Sequence, residues 1–184
     1  MSQSRRAAVV ARRLIMGLTG IVVVLCAALL IVINFPRSDV GGRTDALVVL
    51  GPSSPERLVV AVDMMRGEQA GALVVSAHPP DTLWAVPQPC QPGQSSSYPV
   101  YCFDPEPATT QGEARAVKDL MAQHGWRSVR ILTWKPQVER ARLLFGRCID
   151  GDLRVQETSQ EFGQIDQFSY QGGAFIKAFA MPAC

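Results

Sequence analysis

The feature that most constrains this chain is an uncharged run of about twenty residues near its N-terminus. Residues 14–33 read LIMGLTGIVVVLCAALLIVI and are preceded by four arginines, Arg5, Arg6, Arg12 and Arg13. At about 1.5 Å of rise per residue, a helix of this length crosses a hydrocarbon core of roughly 30 Å and satisfies its own backbone in lipid. The sequence therefore predicts a transmembrane helix over residues 14–35.

The arginines also predict the orientation of that helix, because flanks rich in arginine and lysine stay in the cytoplasm. A cleaved signal peptide is the alternative, since a charged start before an apolar stretch fits both. Signal peptides have a shorter apolar region, about 7 to 15 residues, followed by small residues, whereas this stretch ends in INFP at residues 33–36. We expect a single-pass anchor in the cell membrane, with residues 1–13 cytoplasmic, a linker at 36–44 and an extracytoplasmic domain over 45–184.

The charge composition of that domain limits the classes of partner that it is expected to bind. The net charge of +2 and the pI near 8.4 include the four N-terminal arginines, so the remainder is close to neutral and carries no basic stripe. We therefore expect no nucleic-acid partner, and protein partners cannot be named from the sequence.

Four cysteines follow the anchor, an even number that suits an oxidising compartment. They permit three pairings. We hypothesise that Cys90 pairs with Cys102, stapling a loop, and that Cys148 pairs with Cys184, tying the chain end to a helix end. Free thiols and a zinc site are the alternatives. No C-x-x-C or H-x-x-x-H spacing occurs, so we expect no bound metal. No cofactor-binding motif is present in the sequence, so we expect no other cofactor.

Short apolar runs alternate with helical patterns along the domain. Continuous apolar runs at residues 45–51, 72–76 and 129–133 are typical of strands buried on both faces, and residues 153–157 alternate as in an edge strand. Helices are predicted after Ser54-Pro55 and over residues 110–124 and 136–145, with a weaker helix over 165–181. The alternation predicts an α/β fold, Rossmann-like and doubly wound, with a mainly parallel sheet of four to five strands.

In such a sheet, ligands bind outside the carboxyl ends of the strands. Here, four loops are predicted to meet at that edge, and one of them is unusual. Residues 77–108 show no apolar period, hold eight of the 13 prolines and carry two cysteines. We expect an ordered lid over the edge, packed by Trp84, Tyr98, Tyr101 and Phe103; a solvated flap is the alternative.

Five segments, taken in order, carry a resemblance to a known family: DALVVLG (45–51), RLVVAVDMMRGEQAGALVVS (57–76), CFDPEPATTQGEAR (102–115), GWRSVRILTW (125–134) and VERARLLFGRC (138–148). This set resembles the YdcF/SanA/ElyC-type envelope proteins, and especially their membrane-anchored, actinobacterial-type branch, a family whose activity is largely undefined. The resemblance implies a Rossmann-like fold, residence at the cell envelope and a site at the sheet edge. It also implies serine where Trp134 stands and histidine where Gln137 stands. Because glutamine cannot shuttle a proton, any chemistry that used that histidine is in doubt here.

The edge loops supply the candidate ligand-binding residues: Gly51, Ser53, Arg57, Ser76, Thr110, Glu113, Gln137 and Arg140. Arg57 and Arg140 fall in the first turns of helices that start at this edge, where two guanidinium groups could hold a carboxylate or phosphate. The alternative is that each pairs on the surface with Glu56, Glu139 or Asp63.

Thr110 and Glu113 have the spacing of a capping box, in which each side chain satisfies a free N–H at the helix start. A helix starting at this edge also directs both side chains toward the ligand crevice, so the two roles can coexist. Glu113 and His78 are the candidate catalytic residues, although the two prolines that follow His78 favour a plain turn at His78-Pro79-Pro80. No phosphate-loop or hydrolase-triad motif is present.

These features lead to three functional hypotheses. The first is an anchored accessory domain that binds a small anionic molecule or cell-wall precursor during envelope maintenance. The second is an enzyme acting on a cell-wall or lipid-linked precursor. The third is a structural module that contacts other proteins through the proline-rich loop.

Overall fold

The computed structural model describes residues 2–77, 88–90, 96–158, 164–180 and 184. The helices are α1 (Ser2–Asn34), α2 (Pro55–Arg66), α3 (Thr110–His124), α4 (Val138–Phe145) and α5 (Gln164–Ala180). The strands are β1 (Thr44–Val49), β2 (Ala70–Ser76), β3 (Val100–Phe103), β4 (Ser128–Trp134) and β5 (Asp152–Thr158). Short 3₁₀ helices lie at Gln88–Cys90 and Lys135–Gln137.

The five strands form one parallel sheet in the order β3-β2-β1-β4-β5. The chain winds outward from β1 to β3 on one side and then returns to place β4 on the other side of β1. The predicted α/β class with a parallel sheet is confirmed, and β5 is an edge strand as expected. The point where the winding reverses lies between β1 and β4, which is where ligands of such sheets bind.

Helices cover both faces of the sheet. On one face, Val48, Val74 and Ile131 pack with Val117 of α3 and Phe145 of α4. On the other face, neighbouring strand residues pack with α2 through a second cluster: Leu47, Val49, Leu73, Val75, Leu132, Ala61, Met64 and Met65. Because both faces are covered, β1 has no polar alternation after Asp45, and this explains the continuous apolar run.

Two local predictions were wrong. β3 lies inside the segment expected to be a loop without regular structure, because its four residues, VYCF, are too few to show a period. The N-cap of α3 is Thr109 rather than Thr110, since the Thr109 Oγ1 accepts a hydrogen bond from the Gly112 N–H at 3.1 Å. Thr110 and Glu113 therefore form no capping box, and both side chains are buried at the sheet edge instead.

Both hypothesised disulfides are present. Cys90 is bonded to Cys102, which joins the Gln88–Cys90 turn to β3, and Cys148 is bonded to Cys184. Tyr98 and Phe103 pack against the two core clusters. Residues 78–87 and 91–95, which include Trp84 and His78, lie outside the described residues, so the lid over the sheet edge stays a prediction.

The segment between α1 and β1 is held along the outer edge of β5. The Asp39 N–H donates to the Val155 carbonyl at 2.9 Å, and its Oδ2 accepts from the Val155 N–H at 3.0 Å and from Arg142 at 2.7 Å. Arg130, fully buried on β4, donates to the carbonyls of Gly41 and Gly42. These bonds fix the segment to the domain and occupy part of the exposed strand edge.

Helix α1 contains one stretch, Ala8–Asn34, that is long and apolar enough to cross a membrane, with a mean hydropathy of 2.9. Its final turns meet α5. The α5 helix continues through Gly172 and Gly173, which the sequence marks as a weak point. A Cβ on Gly172 would lie 3.4 Å from Leu29 Cδ2, an ordinary van der Waals distance, so the two helices pass close to each other here.

Replacing Cys148 and Cys184 together by alanine should lower the free energy of unfolding by about 4 kcal/mol, against about 3 kcal/mol for Cys90 with Cys102. The Cys148–Cys184 bond joins residues 36 positions apart, whereas the Cys90–Cys102 bond joins residues 12 positions apart. The stabilisation from a disulfide rises with the length of the loop that it closes. Denaturant unfolding of the full chain in detergent micelles measures both losses. A larger loss from the shorter loop, or none from either, would contradict this expectation.

Candidate functional site

The candidate site is a buried polar cluster at the carboxyl edge of the sheet, beside the point where the winding reverses. Of the eight predicted ligand-binding residues, six are buried in or around it: Arg57, Ser76, Thr110, Glu113, Gln137 and Arg140. Gly51 and Ser53, on the turn after β1, are partly buried beside them. The structure therefore brings together residues from four separate loops, as the sheet topology requires.

Glu113 is the centre of this cluster. Its side chain projects from the first turn of α3, and its Oε1 accepts a hydrogen bond from the Gly51 N–H at 2.7 Å. The Ser76 side chain also hydrogen-bonds to the carboxylate, and Ser53 Oγ donates to the Ser76 carbonyl at 2.8 Å. One carboxylate thus connects α3 with the ends of β1 and β2.

Burial has the largest effect on the pKa of Glu113. Loss of water raises its pKa to about 7, although the two hydrogen bonds and the positive charges of Arg140 and Arg57 act in the opposite direction. A carboxyl group with a pKa near neutrality can be present in either form at physiological pH, which suits a proton donor or acceptor.

Arg57 lies in the first turn of α2 and is 2% exposed. Its Nη1 donates to the Leu50 carbonyl at 2.7 Å and to the Pro52 carbonyl at 3.0 Å, so its side chain folds back over the turn that follows β1. Burial lowers its pKa to about 10, while Glu113 and then Glu56 raise it. At neutral pH the guanidinium is still charged.

Arg140 approaches the cluster from α4 and is 8% exposed. Its Nη1 donates to Thr110 Oγ1 at 3.2 Å, and its Nε donates to Gln171 Oε1 on α5 at 3.2 Å. Its guanidinium carbon also lies 5.9 Å from the centre of the Tyr170 ring. Burial lowers the pKa of Arg140, and Tyr170 and Glu113 oppose that shift.

Two of the acids considered as surface partners for these arginines pair with other residues, whereas Glu56 still acts on Arg57. Asp63 pairs with Arg66 at 3.1 Å, and the Glu139 carboxylate lies 3.6 Å from Arg142. Arg57 and Arg140 point into the sheet edge, and the structure brings both charges to the same carboxylate.

Trp134 and Gln137, where the sequence resemblance implies serine and histidine, are bonded to each other. The Trp134 indole N–H donates to Gln137 Oε1, and the Gln137 Nε2 donates to Thr110 Oγ1 at 2.9 Å. Gln137 therefore orients Thr110, which also accepts from Arg140.

Sequence reasoning missed Gln171. It is fully buried on α5 and contacts Arg140, but in the sequence it is one glutamine in an apolar tail, next to two glycines. Within the described part of the chain, its Nε2 and the Thr133 Oγ1 at the end of β4 have no hydrogen-bond partner. Buried donors without partners are uncommon, and they are available to a ligand or to water. His78, the other candidate catalytic residue, lies outside the described residues.

Among the described residues, no group of three or more histidine, cysteine, aspartate or glutamate side chains is placed to hold a metal ion. The cluster is instead rich in hydrogen-bond donors. Two guanidinium groups act on one carboxylate that is partly neutral at pH 7, and the Gln171 amide lies against one of them. Such an arrangement favours a bound anion.

Glu113→Gln should change the pH dependence of stability. Because the pKa of Glu113 is about 7 in the folded protein, above its ordinary value of 4.5, the folded state holds an extra proton between these two pH values. Stability should therefore fall as pH rises from 4.5 to 7, by on the order of 3 kcal/mol, and this fall should disappear in Glu113→Gln.

Denaturant unfolding across this pH range measures the effect. Asp119→Asn, an exposed acid on the same helix, is the matched control and should follow the wild-type curve. Parallel curves for wild type and Glu113→Gln would show that burial does not raise the pKa of Glu113.

No protein-family model, curated protein or solved structure matches this chain.

Proposed function

We propose that this chain is a membrane-anchored, extracytoplasmic YdcF-like domain that binds a small anionic group at the carboxyl edge of its sheet, as an accessory protein in envelope or cell-wall maintenance. The ligand class is a phosphate or carboxylate carried by an envelope compound or cell-wall precursor. The observation that carries the proposal is the pair of buried arginines that face Glu113.

The charge balance supports an anion. Arg57 and Arg140 together carry two positive charges, and Glu113, with a pKa of about 7, carries about half a negative charge at neutral pH. Glu56 also acts on Arg57, but it lies on the surface, where water weakens its effect. Buried positive charge in excess is costly, and a bound anion would compensate it.

The geometry of Thr110 supports the same ligand. Its Oγ1 accepts hydrogen bonds from Gln137 and Arg140, which occupy both of its lone pairs and leave its O–H free to donate. Gln171 covers Arg140, so entry of an anion requires Gln171 to move away or to turn its unpaired amide N–H toward the ligand.

The membrane location rests on α1 and the disulfides. The stretch Ala8–Asn34 has the length and hydropathy of a spanning helix, and the preceding arginines favour a cytoplasmic N-terminus. Two disulfides in the domain are typical of an oxidising compartment. The family resemblance of the sequence adds the cell envelope.

An enzyme is the second candidate, favoured by one observation. A buried carboxyl group with a pKa of about 7 beside two arginines could exchange a proton with a bound, negatively charged substrate. In that case Glu113→Gln would abolish turnover of a wall or lipid-linked precursor without abolishing its binding. A structural module is the third hypothesis, and no contact among the described residues favours it.

Sulfate binding tests the anion site, since sulfate keeps its charge at all pH values used. Arg57→Ala and Arg140→Ala should each weaken its affinity by about 10- to 100-fold, the usual effect of losing a hydrogen bond to a charged group. Arg66→Ala removes an exposed arginine on α2 that pairs with Asp63, and it should leave the affinity unchanged. Isothermal titration of the full chain in micelles gives these values, and unchanged affinity in both site variants would eliminate the anion site.

Sulfate affinity should also rise as pH falls through 7. Protonation of Glu113 removes the one negative charge inside the cluster, so the anion should bind on the order of tenfold more tightly at pH 6 than at pH 8. Glu113→Gln should bind tightly at both values, whereas Asp119→Asn should keep the wild-type dependence. A pH dependence that persists in Glu113→Gln would assign it to another group.

A further inference from the structure

Helix α5 lies beside the last turns of α1. Besides the contact of Gly172 with Leu29, Phe175 and Phe179 line a cleft of about 430 Å³ together with Ile31 and Phe35. The cleft is apolar on the side of the two helices, and the charged residues Arg37, Glu139 and Arg142 border it on the side of the domain.

The position of Leu29 gives the depth of α5. The uncharged run covers residues 14–33, which is about the length needed to fill the hydrocarbon core. Leu29 stands four residues before the end of that run, or about 6 Å along the helix axis. Because Gly172 lies beside Leu29, α5 lies at the level where acyl chains meet headgroups.

The exposed side chains of this region are large and apolar. Phe35 is 78% exposed, Ile176 73% and Phe179 66%. Basic groups accompany them: Lys177 is exposed on α5, and Lys135 Nζ lies 6.0 Å from the centre of the Phe35 ring. Apolar side chains mixed with lysine are typical of helices that lie in a membrane interface, where the lysines reach lipid phosphates.

We propose that α5 lies in the membrane–water interface on the side of the domain, with Ile176 and Phe179 inserted among the lipids. The occupant of this apolar surface is the bilayer into which α1 inserts. This inference rests on the anchor role proposed for α1. This placement of α5 also brings the sheet edge close to the membrane, because Gln171 on α5 contacts Arg140.

Nitroxide labels measure the depth of each position in the full chain reconstituted in phosphatidylcholine–phosphatidylglycerol vesicles. Ile176→Cys and Phe179→Cys are labelled in a Cys26→Ala background, since Cys26 is the free cysteine among the described residues. Val59→Cys, 61% exposed on α2, is the aqueous control, and native Cys26 within α1 is the lipid control. Collision with oxygen, which concentrates in lipid, is compared with collision with a water-soluble nickel complex.

The ratio of oxygen to nickel collisions should be several-fold higher at positions 176 and 179 than at position 59, and it should approach the ratio at Cys26. Ratios at both α5 positions equal to that at position 59, with Cys26 still in lipid, would overturn the placement of α5 while leaving the anchor intact. Labels on α5 shielded from both reagents would mean that protein covers the surface, which also overturns it. A water-like ratio at Cys26 would overturn the anchor and this inference together.

Discussion

The candidate site is organised around one hydrogen bond, between the Glu113 carboxylate and the Gly51 N–H. It joins the start of α3 to the turn after the central strand, beside the place where the sheet reverses its winding. Adding a Cβ at Gly51 would place that atom 3.4 Å from Glu113 Oε1 and from Ser76 Oγ, so the glycine allows the carboxylate to approach. Burying this acid is costly, and two arginines partly compensate it. The anion-binding role proposed for the site rests on these two buried guanidinium groups.

Much of the fold could be predicted from local patterns. The apolar runs of β1, β2 and β4 are long enough to identify, and glycines or prolines mark the ends of α2, α3 and α4. The cysteine pairs followed from the need to fix a loop and a chain end. β3 could not be identified because its four residues derive their strand conformation from pairing with β2. Arg130 was not foreseen as a core residue, since its burial depends on carbonyl groups of the segment before β1, 88 or 89 positions away.

The candidate site could be predicted in part, because parallel strands place their following loops at one edge. From that rule we expected Arg57, Ser76, Glu113 and Arg140 at one edge of the sheet, and the structure has them buried there. It could not give the partner of each side chain. Thr109 and Thr110 both suit a helix start, and tertiary contacts decide which one caps the helix. Gln171 reaches the cluster from the C-terminal helix, whose placement depends on its packing against α1 and α4.

Locating a heavy anion would test the central claim most directly. Crystals of the full chain grown with selenate, whose selenium is identified by anomalous scattering, would show where an anion binds. The proposal predicts selenate within hydrogen-bond distance of the Arg57 and Arg140 guanidinium groups, with the Gln171 side chain displaced or turned toward it. Selenate found elsewhere, with Arg140 still bonded to Gln171 and no density between the two arginines, would contradict it.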